Sequence, residues 1–263
     1  GTRSRISSGF ILAQKNYGGG YTPLGTVLYI SNPSIFADAT YLYPETYSKK
    51  GLIITDSTDA EMLGTANTVI TVPINEYFLG ESGDNALSFL YSGKTFYFDR
   101  NKITELDTTI RSLSNSGVNI YLNIVLSDKS NCLFDGIHSL YYDNASENAK
   151  YYAINISNSE GNAYFEAIMK FLSARYSDDK RPYGFAGSYI IGYNVNSGSY
   201  NAMGERELTA YTESYASLFR TAYSTVKSSY SNAKLFLSVA NNFTAPSPSP
   251  AEDVNSLTEY SAK

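Results

Sequence analysis

The chain has 263 residues and a formal net charge of −5, with one cysteine, one histidine and no tryptophan. Charged residues make up only 17% against 43% hydrophobic, and 25 tyrosines supply much of the missing polarity. This excludes a disordered chain, an internal disulfide and a thiolate zinc site. Twenty basic residues scattered among twenty-five acidic ones exclude a nucleic-acid surface. No apolar run approaches the ~20 residues of a membrane span.

Residues 1–45 read as a small β-rich lead-in. Two short runs, Phe10–Gln14 and Thr26–Ser31, are split by Tyr17-Gly18-Gly19-Gly20-Tyr21, a glycine-rich break in regular structure. No signal peptide opens the sequence, and any leader is expected to have been removed. A different rhythm fills residues 46–263. Leu52–Thr55 is a short apolar run, and Asp56 or Ser57 can cap a helix over Asp59–Ala66. Thr68–Pro73 is dense in β-branched residues and reads as the next strand. Within Phe89–Asp99, Ser92-Gly93 between aromatic runs signals a hairpin.

The clearest helix spans Lys102–Ser114, with Ile103, Leu106, Ile110 and Leu113 on one face. Val118–Leu126 follows as a near-continuous apolar strand. A loop from Ser127 to about Ser159 carries Cys132, His138 and several tyrosines. Helix Gly161–Arg175 leads to strand Phe185–Tyr193, and a long helix from Glu207 to Tyr230 leads to strand Lys234–Ala240. Thr244–Pro250 cannot be regular structure, and the last ten residues resemble the start of another helix.

Five strands therefore alternate with helices from residue 52 onward. Such an alternation predicts an α/β fold with a parallel sheet and crossover helices, either an open doubly wound sheet or a (β/α)8 barrel. No strand is followed by the glycine-rich phosphate turn of a dinucleotide fold, which favours the barrel. Five strands leave two sheet edges, expected to be covered by the N-terminal β segment, a partner chain or downstream sequence.

Tyr189-Ile190-Ile191-Gly192-Tyr193-Asn194-Val195-Asn196 resembles the Ile-Ile-Gly-Asn-Glu-Val-Asn block of a bacterial family of glycoside-hydrolase-like barrel domains. Ile30-Ser31-Asn32-Pro33, Ser48–Leu52, Gly93–Phe98 and Tyr151-Tyr152-Ala153 followed by Glu160-Gly161 resemble the same family in the same order. The resemblance implies a TIM-type barrel of the retaining glycosidase clan, here its N-terminal portion of about five βα units. It also implies an Asn-Glu acid/base at the end of strand four and a nucleophilic Glu on strand seven.

A retaining glycosidase needs two carboxyl groups roughly 5–5.5 Å apart. This chain carries Asn194 at the acid/base position, and an amide cannot supply a proton near neutral pH. The five strands also stop short of a strand seven. Three readings follow: a fragment or inactive version of a secreted carbohydrate-active barrel, whose full-length form would hydrolyse O-glycosyl bonds if active, a non-catalytic glycan binder, or a structural surface module.

The strand-end loops carry the candidate ligand contacts: Asn75, His138, Tyr193, Asn196, Asn241 and Asn242, with Asn194 in the acid position. Amides donate and accept, which suits sugar hydroxyls, and a tyrosine ring can stack on a sugar. Asn123 is a further amide within its strand. Tyr141-Tyr142 and Tyr151-Tyr152 are loop stacking candidates, whereas tyrosines of the long helix have core spacing. Glu205 reads as helix-start charge compensation and Glu76 as a loop residue. The expected partner is an oligo- or polysaccharide with no metal or cofactor, and the composition fits a bacterial extracellular or cell-surface protein.

Overall fold

The computed structural model describes residues 5–204 and 206–240. The hairpin β1 (Ala13–Lys15) and β2 (Tyr21–Pro23) forms its own two-stranded sheet, extended by a bridge between Phe10 and Leu28. It pairs with neither edge of the main sheet.

Helix α1 (Ser57–Leu63) starts where the Asp56 carboxylate accepts the Thr58 N–H at 2.7 Å, and it ends at Gly64 in the left-handed region. Strand β3 (Asn67–Pro73) follows. An excursion then builds a three-stranded antiparallel sheet from β4 (Phe78–Leu79), β5 (Ala86–Tyr91) and β6 (Lys94–Asp99), in the order β4-β6-β5. Ser92 and Gly93 both take positive φ, which lets a two-residue turn match the twist of its strands. Helix α2 (Arg100–Asn115), capped by Asp99, returns the chain to strand β7 (Asn119–Val125).

Helix α3 (Ser159–Tyr176) leads to β8 (Ser188–Ile191), and α4 (Leu208–Ser229) leads to β9 (Lys234–Phe236). The main sheet is parallel throughout, with the order β3-β7-β8-β9, which is chain order. The segment before α1 continues that order with one bridge, Gly51 to Asn67. The protein is thus a mixed α/β fold built on a parallel sheet with crossover helices. No closed barrel forms among the described residues.

Leu52–Thr55, expected as a strand, does not form a ladder. The Thr68 hydroxyl intervenes: Ile54 N–H donates to Thr68 Oγ1 at 3.1 Å, and that hydroxyl donates to the Ile54 carbonyl at 2.9 Å. A side chain thereby satisfies the groups that a neighbouring backbone would have paired. Strands β8 and β9 are shorter than Phe185–Tyr193 and Lys234–Ala240, and β8 ends just before Gly192, which takes φ +77.

One face of the sheet is packed against the helices. Ile70, Val72, Ile120, Leu122, Ile124, Tyr189 and Ile191 are buried there with Ile103, Ile110 and Leu113 of α2 and Phe165, Ile168 and Leu172 of α3. The opposite face, with Val69, Tyr121, Ile190 and Phe236, borders an open cavity of about 860 Å³. Leu52, Ile53 and Leu237 also line it.

The N-terminal ends of the strands are closed from below by Asp38–Tyr43. The Tyr43 hydroxyl donates to Asn119 Oδ1 at 2.6 Å and lies 2.7 Å from Ser188 Oγ, joining β7 to β8. Tyr41 stacks on Tyr230 with ring centroids 4.6 Å apart. This seal leaves the C-terminal strand ends as the end where loops gather.

Candidate functional site

Four loops leave the C-terminal ends of β3, β7, β8 and β9. The first two are tied together by Asn75, which is fully buried. Its Nδ2 donates to Ser127 Oγ at 3.0 Å, and its Oδ1 accepts the Ser127 N–H at 2.9 Å. Asn75 therefore spends its amide on the β7 loop. Beside it, Glu76 accepts from Ser127 Oγ at 2.6 Å and from Lys102 Nζ at 2.8 Å.

The β8 turn is the sharpest backbone feature. Gly192 has φ +77, and a Cβ there would sit 2.8 Å from Val195 Cγ1. Asn194 follows at φ +45, a region that asparagine tolerates better than other side chains. Its Oδ1 accepts from Ser238 Oγ at 3.2 Å, and Val195 N–H donates to the Ser238 carbonyl at 2.8 Å. Asn196 is buried, and its Oδ1 accepts the Ala240 N–H at 2.7 Å. Asn194 and Asn196 thus clamp the β8 loop to the β9 loop.

The same turn throws Tyr193 outward, where it is 37% exposed. Its ring meets Tyr151 edge-on at 5.7 Å and Tyr200 at 5.4 Å. Lys150 Nζ stands 5.7 Å from the Tyr151 ring centroid and 5.9 Å from that of Tyr200. The two flanking loops are joined by backbone bonds, Lys150 N–H to the Ser199 carbonyl at 2.8 Å and Ala153 N–H to the Ala202 carbonyl at 2.9 Å. Three tyrosines from two loops therefore form one aromatic surface beside Asn194.

A family model described as "Family of unknown function (DUF5722)" matches residues 42–260. The chain belongs to that family. No curated protein and no solved structure matches it.

Within this DUF5722 domain the expected contacts separate into groups. Tyr193 and Asn194 share the β8 turn, Asn196 sits just behind it, and Asn75 lies beneath the neighbouring loops. His138 is exposed in the short 3-10 turn Asp135–Leu140, its ring 6.3 Å from that of Tyr141. The structure shows no contact between His138 and the tyrosine cluster among the described residues. Asn241, Asn242 and Glu205 lie outside the described residues.

Of the loop tyrosines singled out for stacking, Tyr141, Tyr142 and Tyr152 are buried and only Tyr151 reaches the surface cluster. The Tyr141 hydroxyl donates to the Ser127 carbonyl at 2.9 Å, and burial pushes its ionisation far above the ordinary tyrosine range. Asn123 is buried, and its Oδ1 has no hydrogen-bond partner among the described residues.

Tyr200, Lys150 and Ser238 belong to the site although nothing in their sequence spacing marks them. Tyr200 is brought in only because Ser197–Tyr200 folds back on the β8 turn through Ser197 N–H to the Asn194 carbonyl at 2.8 Å.

Two carboxylates stand near the strand ends. Glu76 is paired with Lys102. Asp128 is held below the usual carboxylate range by hydrogen bonds from the Ser130 hydroxyl and N–H. No group of three or more His, Cys, Asp or Glu among the described residues could hold a metal ion. Chemically, the surface offers aromatic faces, amides and one ammonium.

Proposed function

We propose that this DUF5722 domain is the wall of a (β/α) barrel that binds carbohydrate at the C-terminal ends of its strands without hydrolysing it. The parallel, chain-ordered sheet with helices on one face supports the barrel reading, as does the resemblance to the glycosidase clan. Tyr193 carries the binding reading: it is exposed, and Tyr151 and Tyr200 extend it into a platform that a pyranose ring could stack against. Lys150 and the Asn194 amide supply donors and acceptors at its border.

Asn194 stands where the resemblance puts the acid, and its amide is bonded to Ser238. That arrangement supports recognition over cleavage. The tyrosine-, serine- and asparagine-rich composition supports a place outside a bacterial cell.

Calorimetric titration of the full chain with α- and β-linked oligosaccharides tests the proposal. One class is expected to bind, and Tyr193→Ala is expected to weaken it by about tenfold or more, from loss of a stacking ring. Absence of binding to every glycan, or affinity untouched by Tyr193→Ala, overturns the site. Turnover of an aryl glycoside by the chain overturns the non-hydrolytic part.

A further inference from the structure

A second concavity lies between the β5–β6 hairpin and the first half of α3. Its volume is about 210 Å³, and its walls include Tyr91, Lys94, Phe96, Ala163 and Glu166. Sites for drug-sized ligands span about 300–1,000 Å³, so this one suits a molecule of amino-acid size.

Glu166 is the unusual wall. The residue is 3% exposed. Its Oε1 accepts from Asn162 Nδ2 at 3.3 Å and from Ser7 Oγ, whereas among the described residues Oε2 has only the Tyr91 hydroxyl at 3.5 Å. Among the described residues the ion pairs are Lys102–Glu76, Lys170–Asp38 and Arg175–Asp107, so Glu166 lacks a cationic partner. A buried carboxylate in that condition is costly, and a cation beside it relieves the cost.

Lys94 supplies the opposite charge in the same cavity. It is exposed, with Nζ 4.6 Å from the Tyr164 ring centroid and 5.1 Å from that of Phe96. Those rings steady an ammonium without neutralising it. Lys94 is also absent from the ion pairs, so its nitrogen lies more than 4.0 Å from either Glu166 oxygen. Ser159, the first residue of α3, lines the cavity too, and a helix start favours an anion.

An anion in the wall and a cation at the exposed side, held apart across a small space, complement a molecule that carries both charges. We infer that this cavity binds a free α-amino acid with an apolar side chain. Its ammonium sits against the Glu166 carboxylate and its carboxylate against Lys94, with the side chain along Tyr91, Phe96 and Ala163. None of the residues that line it belongs to the tyrosine surface.

Calorimetry on the full chain decides, with L-leucine and L-phenylalanine as probes. 3-Methylbutan-1-amine and 4-methylpentanoate serve as analogues that keep one charge each. At least one amino acid is expected to bind at millimolar concentration, with each analogue about tenfold weaker or worse. Glu166→Gln should weaken the amino acid and the amine but spare the acid; Lys94→Met should weaken the amino acid and the acid but spare the amine. Lys94 is exposed, so its variant reports even where Glu166→Gln fails to fold. No binding of either amino acid, an amine that binds as tightly as the amino acid, or affinity unchanged in Lys94→Met overturns the inference.

Discussion

Asn75 holds together the two loops at one side of the strand-end surface, and its removal has a size that the structure sets. Asn75→Ala deletes the 3.0 Å bond to Ser127 Oγ, the 2.9 Å bond from Ser127 N–H and the longer 3.4 Å bond to the Asp128 carbonyl. Each such bond contributes about 0.5–1.5 kcal/mol net, and a buried group left without a partner costs about 1–3 kcal/mol. The expected loss is about 2–4 kcal/mol. For a domain of this size each kcal/mol lowers the midpoint by about 2–4 °C, so the melt should fall by about 4–16 °C.

Asn75→Asp sharpens the test. It keeps an acceptor for the Ser127 N–H but replaces the three bonds donated by Nδ2 with a carboxylate facing the Ser127 hydroxyl, the Asp128 carbonyl and the Cys132 sulfur, next to Glu76 in the chain. Burial and that company raise the new carboxyl above its unfolded value of about 3.9. A raised folded pKa gives stability that is present below the unfolded value and lost as pH climbs through the folded one. The N75D deficit should therefore grow from acid to neutral pH, whereas the N75A deficit should not. Scanning calorimetry at several pH values reads both. A melt for Asn75→Ala within about 2 °C of wild type, or an N75D deficit that ignores pH, refutes this account of the loops.

Asp107 is buried between α2 and α3, accepting from Arg175 Nε at 2.7 Å, Arg175 Nη2 at 2.6 Å and the Tyr176 hydroxyl at 2.9 Å. Asp107→Ala should cost about 3–5 kcal/mol in urea unfolding by stranding the guanidinium, and a loss under about 1 kcal/mol would show the pair to be idle. Burial pushes Tyr41 and Tyr43 up to about 12, so the stability they contribute is whole below about pH 10 and lost as pH rises through about 12. Ultraviolet titration should show an early wave of exposed phenols, then a late wave that coincides with loss of circular dichroism; a single early wave contradicts that order. The Asp56 carboxyl is held below its usual range by the Thr58 and Asp59 N–H groups, so protection of α1 is present above about pH 3.9 and lost at lower pH. Hydrogen exchange should show those two amides opening in Asp56→Ala at neutral pH, and unchanged protection would reject the cap.

Where periodicity was strong, the sequence was a reliable guide. Ile103, Leu106, Ile110 and Leu113 are all buried on α2, and the strands after α2, α3 and α4 pair in chain order. Positions whose fate depended on distant residues were not legible. The apolar run Leu52–Thr55 looks like a strand, but the Thr68 hydroxyl takes its pairing. Tyr151 and Tyr152 are adjacent and chemically identical, yet one joins the surface cluster and the other packs beneath it, because successive side chains point to opposite sides. Asn75 and Asn196 have the chemistry of ligand contacts, but each amide is occupied by the neighbouring loop. Tyr200 gives no local sign of its role, since only the backbone fold at Ser197 brings it beside Tyr193.

The seal beneath the sheet also bears on how the chain is made. Asn232 Nδ2 donates to the carbonyls of Thr40 and Tyr41, partners 192 and 191 positions away in sequence. At about 5–20 residues per second, synthesis separates them by about 10–40 s. Throughout that interval Tyr41 and Tyr43 have been made but cannot yet meet Tyr230, although the Tyr43 hydroxyl can bridge β7 to β8 as soon as Ser188 has emerged. The nascent chain must therefore carry Tyr41 without its stacking partner until α4 has left the ribosome, so that the short segment beneath the sheet is among the last parts to be locked in place.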